Sequence, residues 1–149
     1  MMQRRTLWTS IGICAAGALL SGCSAANPAS TDDLRTFTSM DEAFAAVDEQ
    51  LDCDPEAAGE PVVPHDDGQL TSDQALCLPH VQLDLYPDHE TVERALEVWS
   101  DTRQGDIPIA HGSNWMVVDL TEVATGEPTS VDLEGLASAT NAEYDVVGD

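Results

Sequence analysis

The chain contains no lysine. Five arginines are its only strong bases, against 28 aspartates and glutamates, and the formal charge is −23. Nucleic-acid binding draws its affinity from neutralised phosphates, so this balance excludes it. The same charge repels anionic lipid head groups and anionic wall polymers. The acids are spread through every segment instead of gathered in one run, which describes a solvated surface better than a site. Several chemistries are missing as well. There is no Gly-x-Ser-x-Gly elbow, no phosphate loop, no dinucleotide fingerprint and no Cys-x-x-Cys pair. Asp66-Asp67-Gly68 lacks the alternating acids and distal glutamate of an EF-hand. No catalytic residue, metal ligand set or cofactor is assigned on these grounds.

Residues 1–22 carry Arg4 and Arg5, then the apolar run Ile11–Leu20, then small residues before Cys23. A positive start, a short apolar centre and small residues at a cleavage point mark an export signal, and the run is too short to span a bilayer. Leu20-Ser21-Gly22-Cys23 resembles the lipobox of a bacterial lipoprotein precursor. That resemblance implies cleavage before Cys23 and acylation of Cys23, with palmitate-type chains holding the protein on the extracytoplasmic face of the cell membrane. Two or more chains give stable attachment where a single chain holds only reversibly. Arg4-Arg5 serves as the charge of any export signal and also faintly resembles a twin-arginine motif; the export route stays open. Cleavage would leave Arg35, Arg94 and Arg103 as the strong bases of the mature chain.

Residues 23–36, the candidate lipidated cysteine and the small, polar stretch after it, are expected to be a disordered tether. Its reach is roughly 20 Å for about 13 flexible residues. Residues 37–121 are expected to form one α+β domain, and residues 122–149 a mobile acidic tail, ordered in part at most, with a short helix near Val131–Ala139. Ser39 and Glu42 have capping-box spacing, and Met40, Ala43, Phe44, Val47 and Leu51 then share one helical face. Asp52 closes that helix before Pro55. Residues 54–73 are rich in Pro, Gly and Asp and form a long loop. Ala75–Leu78 and the alternating Val81–Tyr86 are strands. Asp88 caps a second helix with Val92, Ala95, Leu96 and Trp99 on its apolar stripe. Ile107-Pro108-Ile109 is at most an edge strand. Trp115–Leu120 is the central strand.

The expected fold is a small two-layer sandwich of order α-β-β-α-β, with both helices on one face of a three- to four-stranded sheet. Strands 81–86 and 115–120 would be joined through the second helix by a right-handed crossover. Cys53 and Cys77 are an even pair in an exported chain and read as a disulfide. A loop of about 25 residues closed this way contributes roughly 3 kcal/mol in the chain-entropy model. A metal pair or catalytic thiol would want neighbours that neither cysteine has.

A capped helix, two domain cysteines, a strand–helix unit and Gly112-Ser113-Asn114-Trp115 opening an apolar strand resemble small actinobacterial lipoproteins, over residues 1 to about 120. The family likeness implies location and no activity. Two clusters, His65-Asp66-Asp67 and Asp88-His89-Glu90, are dense in ligand atoms, but neighbours in a strand or helix point apart. Convergence of His65, His80, His89 and His111 would be needed for metal or hydrolytic chemistry. Asn114 and Trp115 are a candidate ligand surface, the indole offering stacking area; the plainer reading makes them turn and core. The functional expectation is a non-enzymatic binding or accessory module of the cell envelope, tethered to the lipid bilayer through Cys23, with an envelope protein or ligand as its partner. The alternatives are a divalent-cation-binding surface protein and a small hydrolase.

Overall fold

The computed structural model describes residues 33–148. The signal segment, Cys23 and residues 24–32 lie outside the described residues. Helix α1 spans Met40–Leu51. Ser39 caps it by accepting from the Glu42 amide, and the left-handed Asp52 closes it. The Glu42 carboxylate reaches back to the Thr38 amide (2.9 Å) and hydroxyl (2.7 Å), one residue earlier than a strict capping box. Strands β1 (Asp73–Leu78) and β2 (Val81–Leu85) form a tight hairpin, with His80 in the left-handed region (φ 67°). Helix α2 spans His89–Ser100, and Asp88 caps it by accepting from both the amide and the hydroxyl of Thr91. Strands β3 (Ile107–His111) and β4 (Trp115–Asp119) follow, then α3 (Thr121–Thr125), α4 (Leu133–Thr140) and β5 (Glu143–Val147).

The class is α+β. The five strands lie in the order β1-β2-β4-β3-β5, and every neighbouring pair is antiparallel. The expected crossover is therefore corrected. Ile107–His111 is a full strand, and its hairpin into β4 adds one reversal of direction, so β4 runs against β2. Pro108 is tolerated there because the ladder to β4 begins only at Ile109.

The layers also differ from expectation. Strands β2 and β4 are buried at every position, which requires cover on both faces. Val81, Leu83, Leu85, Trp115 and Val117 pack with α1 and α4. Tyr86, Ile107, Ile109, Met116 and Val118 face the other way and pack with α2. Alternation along a strand separates the two sets.

The expected acidic tail from residue 122 is likewise corrected. Leu133, Leu136 and Ala137 of α4 are buried in the α1-side core, and β5 pairs with β3 along its whole length. At the other end, Leu34 and Phe37 are already buried, so the domain begins at the first described residues instead of at 37. Cys53 and Cys77 form a disulfide that ties the end of α1 to β1. No helix among the described residues is long and apolar enough to cross a membrane.

Candidate functional site

Asn114 and Trp115 do not form an open ligand surface. The Asn114 amide accepts from the Phe37 amide (2.9 Å) and donates to the Phe37 carbonyl (2.8 Å). The Trp115 indole is fully buried and donates to the Arg35 carbonyl (2.9 Å), which also accepts from the Ser113 amide (2.9 Å). The Phe37 ring lies 5.2 Å from the Trp115 ring, and the Arg35 guanidinium carbon lies 4.7 Å from the centroid of the same Phe37 ring. Beyond it the Arg35 amide donates to Asn141 at the end of α4 (3.1 Å). These groups hold the chain's own residues 33–38 as a strap across the β3–β4 hairpin. The polar atoms that suggested a ligand are spent on backbone that would otherwise be buried without partners.

The opposite face carries the better candidate. Residues 58–65 run over β1 and β2 and are held at Val62 by two side chains. Gln82 accepts from the Val62 amide (2.8 Å) and donates to the Val62 carbonyl (2.9 Å), so its amide mimics a strand partner. Gln74 donates to the same carbonyl (3.2 Å). Between this loop, the end of α2 and α3 lies a cavity of about 430 Å³. Val98, Trp99, Ile107, Leu120 and Val123 form its apolar wall, while His65 and His80 stand at its exposed side. That volume, mostly apolar lining and a few polar groups at the rim are the features of a small-molecule site.

Beneath Gln82 lies a buried polar group that the alternating pattern hid. Asp84 is fully inaccessible and accepts from Gln74 (2.8 Å), Gln82 (2.9 Å) and the Tyr86 hydroxyl (3.3 Å). Loss of solvation pushes its carboxyl up to about 6, against the pull of those three donors. Burial, and then the Asp84 charge, push the Tyr86 phenol upward too; the Trp99 indole N–H beside it acts in the opposite sense. That N–H makes no hydrogen bond of ordinary geometry, so Trp99 carries a buried donor without a full partner.

The histidines do not converge as one group. His65 and His80 share the cavity. His89 lies 3.6 Å from Glu93 on α2. His111, buried on β3, meets Asp145 at 2.9 Å and Glu143 at 3.8 Å across the sheet. Among the described residues no three His, Cys, Asp or Glu side chains are grouped to hold a metal ion. The cavity escaped the sequence reading because its walls come from four separate stretches. The one local signal was Gln82 and Asp84 standing in a strand whose every other residue is apolar.

The chain matches no protein-family model, no curated protein and no solved structure.

Proposed function

We propose that this chain is an extracytoplasmic lipoprotein, held to the cell membrane through an acylated Cys23, whose domain is a non-enzymatic binding module of the cell envelope. The cavity beneath residues 58–65 carries the binding part of this reading. It is apolar and bounded by α2 and α3, and its roof is fixed in place by Gln82. An apolar space of this kind favours occupancy through the area it removes from water. The anchor rests on the Leu20-Ser21-Gly22-Cys23 box. The charge of the chain agrees with a domain that stands off an anionic surface and is retained by lipid.

Mass spectrometry of the full chain, produced in a bacterial host and extracted from its envelope, tests both parts. Denaturing spectra should give a mature N-terminus at Cys23 carrying diacylglycerol, and an unmodified Cys23 refutes the anchor. Native spectra should show a retained small molecule that is lost on unfolding. A bare polypeptide mass from protein taken directly from its own envelope refutes the binding module.

A further inference from the structure

The chemistry of the cavity wall narrows what can enter, and this step rests on the binding reading above. We infer that the cavity takes an uncharged, mostly apolar organic molecule of about 17 non-hydrogen atoms, with its apolar body against Trp99, Leu120 and Val123 and any polar end toward His65 and His80.

Size comes from volume. An apolar cavity of roughly 150 Å³ accommodates benzene, with its six carbons. On that scale about 430 Å³ has room for about 17 non-hydrogen atoms.

Charge comes from the lining. Among the described residues, the titratable side chains on the cavity are Glu60, His65 and His80. No arginine among the described residues lines it, and Arg94, the base next to the His65 loop, is paired with Asp66 at 3.4 Å. An anion would be buried without a counter-charge and inside a strongly acidic protein. A cation fares no better at depth. Glu60 is exposed, and Asp84 lies behind Gln82 with its oxygens taken by Gln74, Gln82 and Tyr86. The deep wall offers Val98, Trp99 and Ile107, which favour apolar surface.

The site is preformed. Residues 61–64 are held over the apolar wall, because both polar backbone groups of Val62 bond to Gln82. Breaking that pair would strip the Val62 amide of its partner and leave the Val62 carbonyl with Gln74 alone. The space therefore persists without a ligand, and little ordering accompanies binding.

The probe is N-phenyl-1-naphthylamine, a neutral molecule of about the size the cavity volume implies. Full chain produced without membranes, and so unacylated, is titrated in detergent-free buffer with the disulfide intact. Val98→Trp and Ala124→Trp fill the cavity from its α2 and α3 walls, and Val146→Ser on the exposed face of β5 serves as the surface control. One saturable site is expected, weakened at least about tenfold by either filling variant and unchanged by the control. The anionic 8-anilinonaphthalene-1-sulfonate should bind at least about tenfold more weakly, since it buries an unpaired charge. In the unsubstituted chain, proton contacts by NMR should run from the probe to the Leu120 and Val123 methyls, which needs no variant to fold. Probe binding that ignores both filled walls and touches neither methyl overturns the site and the binding module together. Equal binding of the sulfonate at those methyls overturns only the uncharged class and leaves a binding module standing.

Discussion

Asp84→Asn should change the shape of the stability–pH curve more than its height. The native carboxyl holds its proton to about 6, whereas the ordinary value is 3.8. Between those values the folded chain binds more protons than the unfolded chain, so stability falls as pH rises through the window. The full contribution is present below the unfolded value and is gone once pH exceeds the folded one. A gap of about two pH units corresponds to roughly 3 kcal/mol. The asparagine keeps one acceptor oxygen but sets its NH₂ against Gln74 or Gln82, both of which donate here. That mismatch costs about 1–3 kcal/mol at every pH and offsets much of the gain near neutrality. The pH-dependent part survives the offset. Urea unfolding followed by tryptophan fluorescence, with the disulfide intact, would be run on both chains from pH 4 to 7.5. Repulsion among the other acids is common to both and cancels in the difference. The parent should lose roughly 2.5 kcal/mol more than the variant across that range, since at pH 4 the unfolded carboxyl is already about half ionised. Parallel curves would refute the reasoning, because a carboxyl with no preference for its neutral form in the fold cannot be buried and uncompensated.

Three further outcomes concern the parts that close the chain on itself. Replacing Cys53 and Cys77 together by alanine should lower stability by about 3 kcal/mol, read as a shifted urea midpoint; an unchanged midpoint would mean the cross-link constrains nothing in the unfolded chain. Gly112→Ala should be worse than any surface change, at about 3 kcal/mol or more, because the new methyl would land between the Trp115 indole nitrogen and the Arg35 carbonyl. Asn114→Ala should cost about 1–3 kcal/mol and open residues 33–38 to limited proteolysis, whereas a strap that stays protected would count against the Phe37 contacts.

Both long helices were legible because cap and stripe agree in each. Ser39 and Asp88 close the starts, while Ala43–Val47 and Val92–Ala95–Trp99 share buried faces. The disulfide followed from pairing alone. Strand β5 was not legible: Glu143, Tyr144, Asp145 and Val146 are exposed or nearly so, and backbone pairing to β3 makes the strand with little help from a hydrophobic pattern. Gln82 and Asp84 misled for the opposite reason. Polar residues at alternate positions predict a wet face, but here a loop from twenty residues upstream bonds to Gln82, and Gln82 in turn donates to Asp84 along with Gln74 and Tyr86. Trp115 drew notice as a contact residue, yet its partners lie about eighty positions away, where no local pattern reaches.

The strap has a consequence in time. A chain is made from its N-terminus, so residues 33–38 appear long before anything can hold them. Asn114 arrives 77 positions after Phe37, and Asn141 arrives 108 after Asp33. Until then the start of the domain is an unsatisfied end, open to whatever handles nascent chains. Only when the last helix is complete do the two ends of the fold become sewn together. The completeness of the C-terminal half is thereby reported at the N-terminal boundary, next to the segment in which Cys23 lies.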